Sequence, residues 1–490
     1  MKSALDTPII NVDDVDAADL ISVRDIFSGR CFGGLTGPAW KKIVSLKFLL
    51  AIAQGACRPE TDANLPKTSE ELAERVRNYL DAHEDSFLLD NPERPFLQHP
   101  AARIAKGFPV QAAMPGKFTG NNAVIQQSTL AREPSEADCV MALLTNAVMP
   151  FAGKKHDAVW IGPAQPEKKK PGPSPMLGMT SCIHVFILGK TLLDTIRLNM
   201  LPASDLRGLP QYSAGLGTPP WERMPAAETG AEAEALRHSL MGRLIPMARF
   251  QLLEGGMLHS TAGIEAVPIS EHGAADPSVV VYPNKSSKNG FVACGLSFMS
   301  VWETAVGALT GLSSRGEPGE KKYPPPLQAA AALERAIAAE NGLAGLWAGG
   351  IDVRYSTGEQ VLTLGGSCRE TAVLFSNESE RRTAVRRSVL LLEGCRRFSA
   401  AVYRASERLS ASDGIRENLR AEANVFIDRK LPEWTSASDP EAAWLRIASG
   451  LETLWLRRFG GRVANAPACP ELLAFAPRLK NLIKELDHAS

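Results

Sequence analysis

The sequence predicts an α+β protein in which a large mixed α/β region is followed by a C-terminal four-helix bundle. Up to residue 368, short β-branched runs, turns and amphipathic helical stretches alternate, as they do in mixed folds. Beyond that point, four helical stretches follow one another with short, turn-rich gaps, which is typical of an antiparallel bundle. We therefore expect two regions, a mixed α+β region at 1–368 and a helical bundle at 369–490.

Composition places the chain among globular proteins. Of its 490 residues, 44% are hydrophobic and 22% are charged, which is enough apolar material for a substantial core. The 54 basic and 54 acidic residues give a formal net charge of zero. This balance excludes a uniformly basic coat for nucleic acid, but it permits local basic patches.

Cysteine spacing and hydropathy bear on the cellular compartment. The 8 cysteines form no C-x-x-C pair, which argues against a zinc ribbon or a dithiol redox site. The N-terminal stretch is acidic and lacks an apolar signal-peptide core, and no apolar run reaches about 18 residues. We expect a reduced cytoplasmic protein with no signal peptide and no membrane span.

Local patterns predict the first elements. Residues 39–56 form a helix with a wide apolar face. Thr68 and Glu71 have capping-box spacing at the start of a second helix, and a third helix ends before Pro150. A segment rich in lysine, proline and glycine follows, and a strand that leads into a helix begins at Cys182.

Later patterns predict two hairpins and the first bundle helix. Residues 278–298 indicate two strands around a polar turn. Residues 348–366 alternate polar and apolar side chains on either side of Thr357-Gly358, which is typical of a β-hairpin. The first bundle helix is predicted to place four aliphatic side chains on one face: Val385, Val389, Leu392 and Val402.

Motifs for catalysis are absent or incomplete. "LGKT" at Leu188–Thr191 resembles the end of a P-loop, but His184 stands where that loop needs a glycine, so we expect a strand-to-helix junction. The 8 histidines have no metal-ligand spacing, and no G-x-S-x-G motif is present. We therefore expect no catalytic residue, metal or cofactor. A nucleic-acid-processing hydrolase with dispersed carboxylates is the alternative.

Several stretches, together with the C-terminal helices, occur in the order found in one known family. The stretches are residues 35–56, "PFLQHP" at 95–100, "TGNNAVIQQ" at 119–127, residues 181–201 and "GTPPWE" at 217–222. Together they resemble the CasA family, the large subunit of the type I-E CRISPR interference complex Cascade. A scaffold subunit of a more remote type I complex is a further alternative.

The resemblance implies a non-enzymatic subunit. Such a subunit reads the short protospacer-adjacent motif (PAM) on duplex DNA, helps to open the duplex and docks the helicase-nuclease. The implied partners are the guide-RNA-bound Cascade subunits, double-stranded target DNA and that helicase-nuclease. RNA–DNA pairing reads the long sequence in such complexes, so the protein needs small contact elements rather than a catalytic cleft.

The resemblance also implies a DNA contact in the loop after the third helix. Gly153 corresponds to the family's glycine-containing loop at the minor groove, where a residue without a side chain permits close approach. Lys154 and Lys155 are candidate phosphate contacts. The basic run 168–170 is predicted to be a tether. The alternatives are a solvated surface loop and a disordered proline-rich segment.

The second predicted hairpin resembles the family's wedge, which parts the first target base pair. A two-stranded ribbon is both stiff and thin, as a wedge must be, although a purely structural hairpin is the alternative. The wedge candidates are Tyr355, Ser356, Thr357, Gly358 and Gln360. In the polar turn of the other hairpin, Lys285 and Lys288 are the nearest candidates for the family's minor-groove lysine.

Two further contacts complete the predicted interface. The stretch "NNAVIQQ" is expected to dock against the guide-RNA end or a neighbouring subunit through Asn122, Val124 and Gln126, and the alternative is an ordinary polar loop. On the first bundle helix, Arg382, Arg386 and Arg397 are predicted to form a basic face for DNA. A solvated bundle face is the alternative for these arginines.

Overall fold

A three-stranded antiparallel sheet lies between two layers of helices. The computed structural model describes residues 2–13, 20–113, 133–151, 160–162, 176–177, 181–269, 276–287, 290–293, 295–296, 300–313, 333, 335–336, 342–356, 359–362, 368–408, 413–463, 477–482 and 484. The predicted α+β class, with a helical C-terminal region, is confirmed.

The helices described before the C-terminal region are of mixed length. They are α1 (Val23–Ile26), α2 (Ala39–Cys57), α3 (Ser69–Ala82), α4 (Glu136–Val148), α5 (Leu192–Leu198), α6 (Ala203–Leu206), α7 (Ala231–Arg237), α8 (Met241–Leu244) and α9 (Val301–Ser313). Local chemistry explains several of their ends. The Thr68 hydroxyl accepts a hydrogen bond from the Glu71 backbone N–H and caps α3. Ser135 and Asp138 form a reciprocal capping box at the start of α4.

The strands are short apart from those of the central sheet. They are β1 (Ile10–Asn11), β2 (Leu20–Ile21), β3 (Phe108–Pro109), β4 (Ile183–Gly189), β5 (Gln251–Glu254), β6 (Met257–Ser260), β7 (Val281–Pro283), β8 (Phe291–Ala293), β9 (Leu343–Ile351), β10 (Val353–Ser356), β11 (Glu359–Leu362) and β12 (Cys368–Leu374). The central sheet has the order β12-β9-β4, and β3-β6-β5 form another sheet. The pairs β1–β2, β7–β8 and β10–β11 are two-stranded.

Side-chain alternation gives the central sheet two different faces. Ile183, Val185 and Ile187 of β4 point into one hydrophobic core, which α9 and the C-terminal helices cover. Phe186 lies between them in sequence and points into the other core, together with Trp347 of β9. The apolar helix α2 covers that second face. Successive residues of a strand point to opposite sides, so one strand contributes to both cores.

Within the described residues, the C-terminal region contains three long helices: α10 (Glu378–Arg408), α11 (Asp413–Thr435) and α12 (Pro440–Val463). The fourth predicted helix falls mostly outside the described residues, although Leu479 and Leu482 are buried in the same core. The predicted boundary at residue 368 coincides with the first residue of β12, which pairs with β9 as far as Leu374. Where the two regions separate stays a prediction.

One prediction about the bundle was wrong. Val389 is 53% exposed instead of facing the core. The buried stripe of α10 runs through Ala384, Leu391 and Phe398, while Val385 and Leu392 pack at its margin. A regular 3.6-residue period accommodates either stripe, and the position of the facing helix decides which one is buried.

Candidate nucleic-acid interface

Two hairpins leave the central sheet at the same end. β9 runs antiparallel to β4 with Gly350 opposite Ile183, so β10 begins just beyond the start of β4. The Val280 backbone N–H donates a hydrogen bond to the Ile183 carbonyl at 3.4 Å. The chain there runs antiparallel to β4, as β9 does, and leads into β7. The predicted wedge hairpin and the predicted lysine turn therefore start from one end of the sheet.

The hairpin β10–β11 is a two-stranded sheet of its own, and only Asp352 separates it from β9 of the central sheet. It is inserted between β9 and β12, which are hydrogen-bonded neighbours, with Cys368 opposite Ile351. Within the hairpin, Tyr355 pairs with Gln360 and Ser356 with Glu359. The predicted β-hairpin is confirmed, while Thr357 and Gly358 at its tip lie outside the described residues.

Among the wedge candidates, Gln360 has a distinctive environment. Its side chain is 0% exposed, so it packs inside the protein rather than at the tip of the ribbon. A DNA contact through Gln360 would require the side chain to leave this position. The identity of the wedge residue stays a prediction.

Lys285 lies in an ordered turn between β7 and β8. The Asn284 side chain accepts a hydrogen bond from the Ser286 backbone N–H at 2.9 Å, which is a typical Asx turn. Gly290 closes the turn through its carbonyl, which accepts from the Asn284 N–H at 2.8 Å. Lys285 is exposed beside this turn, whereas Lys288 lies outside the described residues.

The remaining loop candidates also lie outside the described residues. They are Gly153, Lys154, Lys155, Asn122, Val124 and Gln126. The main chain on either side of the lysine-containing loop is described, at Phe151 and at residues 160–162. Phe151 packs in the core, and Gly162 is buried. The attachment points of the loop are therefore known, and its contacts stay predictions.

The arginines at the start of α10 do not lie beside the two hairpins. β12 ends with Leu374 opposite Gly345, so α10 begins near the opposite end of the sheet. Arg381 and Arg382 share Glu378. Hydrogen bonds, first of all from Arg381, lower the pKa of Glu378 to about 2.

Charge pairing reduces the predicted basic face. Arg397 donates to Glu393 at 3.1 Å, and Arg387 donates to the carbonyls of Trp434 and Thr435. Arg386 is exposed. Within the described residues, Arg386 has no ion pair, so it is better placed than Arg382 or Arg397 to meet a phosphate.

Two stretches of the predicted resemblance have structural roles. Trp221 packs against Phe87 and Phe96, with ring centroids 5.4 Å and 6.3 Å away, and the two phenylalanine rings also contact each other at 5.3 Å. Its indole N–H donates to the Tyr79 hydroxyl, and that hydroxyl donates to Glu222. "PFLQHP" and "GTPPWE" therefore meet in an aromatic cluster that holds the end of α3.

Several buried polar residues were not predicted from the sequence. Lys47 and His184 are 0% exposed, and Glu228 is 5% exposed. A lysine in the middle of the apolar run "IVSLKFLLAIA" is a signal for a buried ion pair, and the Lys47 ammonium indeed lies 2.6 Å from Asp276. No local pattern marks Glu228.

Neither a metal centre nor a membrane span occurs in the described part of the chain. Within the described residues, no group of three or more His, Cys, Asp or Glu side chains could hold a metal ion. None of the helices in the described ranges has the length and hydropathy to cross a membrane.

Comparison with solved structures identifies the fold. Cse1 from Thermobifida fusca superimposes with a TM-score of 0.68 and 18% identity, covering 99% of this chain and 98% of that one. A chain of a CRISPR RNA-guided surveillance complex gives a TM-score of 0.67 with 15% identity, covering 98% and 99%. A CRISPR-associated protein from Thermus thermophilus gives a TM-score of 0.63 with 16% identity, covering 99% of both chains.

The family follows from the sequence. The family model for the CRISPR-associated protein Cse1 matches residues 4–458. The chain belongs to this family, and the predicted resemblance is confirmed. None of the curated protein sequences matches the chain significantly.

Proposed function

We propose that this chain is the large, non-catalytic subunit of a guide-RNA surveillance complex, where it recognises the PAM on duplex DNA, helps to open the duplex and recruits the helicase-nuclease. Membership of the Cse1 family supports this proposal, as does the likeness to a chain of an RNA-guided surveillance complex. The observation that carries the DNA-opening role is the hairpin β10–β11, which lies along the chain between β9 and β12, two paired strands of the central sheet.

The hairpin has the mechanical properties that strand separation requires. Only Asp352 separates β10 from β9, which is paired with a strand on each side, so the sheet holds the base of the ribbon on that strand and resists a force on the ribbon. Opening duplex DNA costs about 1.4 kcal/mol for each stacked step. A rigid ribbon can offset part of this cost by occupying the space of the parted bases, whereas a flexible loop would be displaced.

The second hairpin supplies a cation on the same side. Lys285 is exposed at a turn that starts from the same end of the sheet as the wedge hairpin. Phosphate contacts position a protein on DNA without reading the bases. The proposed division of work gives Lys285, Lys154 and Lys155 to the DNA backbone, Gly153 to the minor groove and the hairpin tip to the first base pair.

The proposed partners are the guide-RNA-bound subunits, duplex target DNA and the helicase-nuclease, and the proposed compartment is the cytoplasm. Asn122, Val124 and Gln126 are assigned to the contact with the guide complex. Arg386 is assigned to a DNA contact on the helical region.

A shortened hairpin tests the wedge. Replacing Ser356–Glu359 by Asn-Gly keeps the Tyr355–Gln360 pair and the buried glutamine, and it removes only the tip. We expect slower R-loop formation on intact duplex, because the first base pair must then open without help. Binding to a target that is pre-melted beside the PAM should be unchanged. Stopped-flow fluorescence of the reconstituted complex measures both substrates.

The matched control is Lys285→Ala in the neighbouring hairpin. A phosphate contact acts on duplex and pre-melted targets alike, so this variant should weaken both and lower the salt slope by about one unit. Equal losses for the shortened hairpin on the two substrates, accompanied by a lower melting temperature, would show a structural hairpin instead. Metal-dependent DNA cleavage that stays with the repurified chain would favour the hydrolase alternative.

A further inference from the structure

A groove of about 470 Å³ lies at the end of the central sheet that is opposite the two hairpins. It is formed where β9 begins, where β12 ends and where the end of α11 meets the first turns of α10. Leu343, Leu374 and Phe375 belong to its apolar lining. The nine residues of β9 span about 26 Å at about 3.3 Å per residue. The groove is therefore a site separate from the two hairpins.

The guanidinium of Arg387, which lines this groove, is held along one side. Its Nη1 donates to the Thr435 carbonyl at 2.8 Å and to the Trp434 carbonyl at 3.4 Å, at the C-terminal end of α11. The guanidinium carbon lies 5.9 Å from the centre of the Trp434 ring. The Trp434 indole N–H in turn donates to the Arg387 carbonyl at 2.8 Å. The protein thus fixes the position of this cation through Nη1 and the aromatic ring.

The opposite edge of the Arg387 guanidinium is open to a ligand. Within the described residues, Nε and Nη2 donate to no protein atom, and neither is among the polar atoms that are buried without a partner, so both reach solvent. Burial lowers the pKa of this guanidinium, and no carboxylate in the described ranges offsets that effect. Two parallel N–H groups on one edge of an arginine match the two oxygens of a carboxylate.

Lys190 supplies a second cation from a different element. It directly follows β4, and its backbone N–H donates to the Gly342 carbonyl at 2.6 Å. Its side chain is exposed and lines the groove. In the part of the chain that the structure describes, Lys190 has no ion pair. Two cations from separate elements therefore face one groove.

The carboxylate in the lining, Glu380, is already engaged by the protein. It accepts from the Ser376 backbone N–H at 2.7 Å and from the Ser376 hydroxyl at 2.6 Å. Asn377 Oδ1 accepts from the Glu380 backbone N–H at 2.9 Å and caps the start of α10. The end of this helix is thus satisfied internally, and the positive character of the groove comes from Arg387 and Lys190.

We propose that the groove binds a short acidic segment of a protein partner, in which one aspartate or glutamate carboxylate meets Arg387 and Lys190 and adjacent apolar side chains meet the apolar lining. Two cations and one carboxylate leave a single net positive charge, which one carboxylate neutralises. The volume lies within the range of about 300–1,000 Å³ that is typical of ligand pockets. This inference goes beyond the proposed DNA-binding function and does not depend on it.

The charges around the groove favour a peptide over nucleic acid. A nucleic-acid backbone brings a row of closely spaced phosphates. Those phosphates would approach Glu378 and Glu380, which stand together at the start of α10. A peptide segment with one carboxylate between apolar side chains avoids this repulsion and uses the apolar lining as well.

A titration of the full chain with capped tripeptides tests the site. The chain is labelled with 5-fluorotryptophan, and the fluorine NMR signal of Trp434, assigned with Trp434→Phe, reports on the guanidinium beside it. We expect capped Leu-Asp-Leu to shift this signal saturably and capped Leu-Asn-Leu to bind at least about tenfold more weakly, because hydrogen bonds to charged groups are the stronger ones. The absence of a saturable shift, or equal affinity for the two peptides, overturns the proposal.

Inorganic phosphate is the competing probe in the same titration. Weaker binding of phosphate than of Leu-Asp-Leu supports a peptide site with an apolar component. If phosphate binds more tightly, the groove is a general anion site and the peptide assignment is overturned.

Three variants separate the groove from the overall charge. Arg387→Gln should weaken Leu-Asp-Leu binding at least about tenfold, and Lys190→Gln about twofold to fivefold. Lys190→Gln leaves the contacts at the end of α11 intact, so it decides the question even if Arg387→Gln does not fold. Arg396→Gln is the matched control, because Arg396 is exposed on the same helix but does not line the groove. Wild-type affinity in Lys190→Gln, or equal losses in Lys190→Gln and Arg396→Gln, overturns the site.

Discussion

The central sheet has a buried charge pair on each face. The two pairs differ in how far hydrogen bonds and nearby charges compensate for the burial of the carboxylate. On the face that α2 covers, Asp276 accepts from Lys47 and from the backbone N–H and hydroxyl of Ser278. On the other face, Asp428 accepts from Arg369 and from the Trp302 backbone N–H. Both carboxylates are almost completely buried.

The two carboxyls respond to burial in opposite directions. Burial alone would raise the pKa of Asp276, but Lys47, His184 and the Ser278 hydroxyl outweigh it and hold that pKa below its ordinary value. For Asp428, burial outweighs the attraction of Arg369, and the nearby Glu303 adds to it, so its pKa is raised. An ion pair therefore stabilises a buried carboxylate only when the hydrogen bonds and charges together exceed the cost of burial.

The pairs also connect different parts of the molecule. Lys47 and Asp276 both belong to the predicted N-terminal region. Asp428 lies on α11, so its bonds to Arg369 of β12 and to the start of α9 fasten a C-terminal helix to the sheet. The hydrophobic core on this face is also shared. The helical region is therefore joined to the sheet by both polar and apolar contacts.

The largest expected effect comes from breaking the pair between Lys47 and Asp276. Lys47→Met leaves Asp276 buried without its cation, so the free energy of unfolding should fall by about 3–5 kcal/mol. Lys42→Met is the matched control on the same helix, because Lys42 pairs with the partly exposed Glu370 and should cost at most about 1 kcal/mol. Urea unfolding followed by fluorescence measures both variants.

A double variant checks the cause of this loss. Lys47→Met combined with Asp276→Asn removes both charges, and it should recover part of the stability that Lys47→Met loses. If the double variant is as unstable as the sum of the two single variants, the loss comes from packing and not from an uncompensated charge.

The second prediction tests the shared core with two glycines. A Cβ on Gly394 of α10 would lie 2.4 Å from the Trp444 ring, whereas nothing lies within 4 Å of a Cβ on Gly414 of α11. Gly394→Ala should therefore destabilise the protein by about 1–3 kcal/mol through overpacking. Gly414→Ala should stabilise it by up to about 1 kcal/mol through helix propensity. Thermal unfolding of both variants decides, and a stabilising Gly394→Ala would show that α10 and α12 are not closely packed.

The smallest expected effect is a difference in pH dependence. Asp276, with its lowered pKa, contributes stability above its ordinary value of 3.8, and this contribution is lost as pH falls through the folded-state pKa. Asp428, with its raised pKa, contributes stability that is present below 3.8 and lost as pH rises through the folded-state pKa. The cost of Asp276→Asn should thus shrink on acidification from pH 7, while the cost of Asp428→Asn should grow.

Urea midpoints at a series of pH values between 7 and the acid limit of the fold measure these two trends. Parallel trends for Asp276→Asn and Asp428→Asn would contradict the difference between the two faces. His184 is a useful internal reference, because burial and then Lys47 lower its pKa to about 4.

Local sequence signals predicted many of the elements well. The helix at Ala39–Cys57, the caps at Thr68 and Ser135 and the strand-to-helix junction at "LGKT" are all confirmed. The two predicted hairpins are confirmed as β7–β8 and β10–β11. These features depend on side-chain period, on capping groups and on turn residues within a few positions of one another.

Features that depend on distant residues were missed or misplaced. Val389 fits a helical stripe as well as Leu391 does, and only the facing helices show which of the two is buried. The candidate nucleic-acid interface was likewise predicted only in part. The sequence indicated the hairpin, but it did not reveal that Gln360 is enclosed or that the lysine turn shares its end of the sheet.

Several longer helices, the strand at Cys182 and two hairpins could be predicted from the sequence, because their preferences come from interactions between residues close along the chain. The folded structure was needed to reveal that Lys47 pairs with Asp276, that Glu228 accepts from Gly162 and that one sheet contributes to two cores. Each of these contacts joins residues more than 60 positions apart or depends on which face of a strand is covered. Their free energy depends on burial, and burial is a property of the assembled layers rather than of any local pattern.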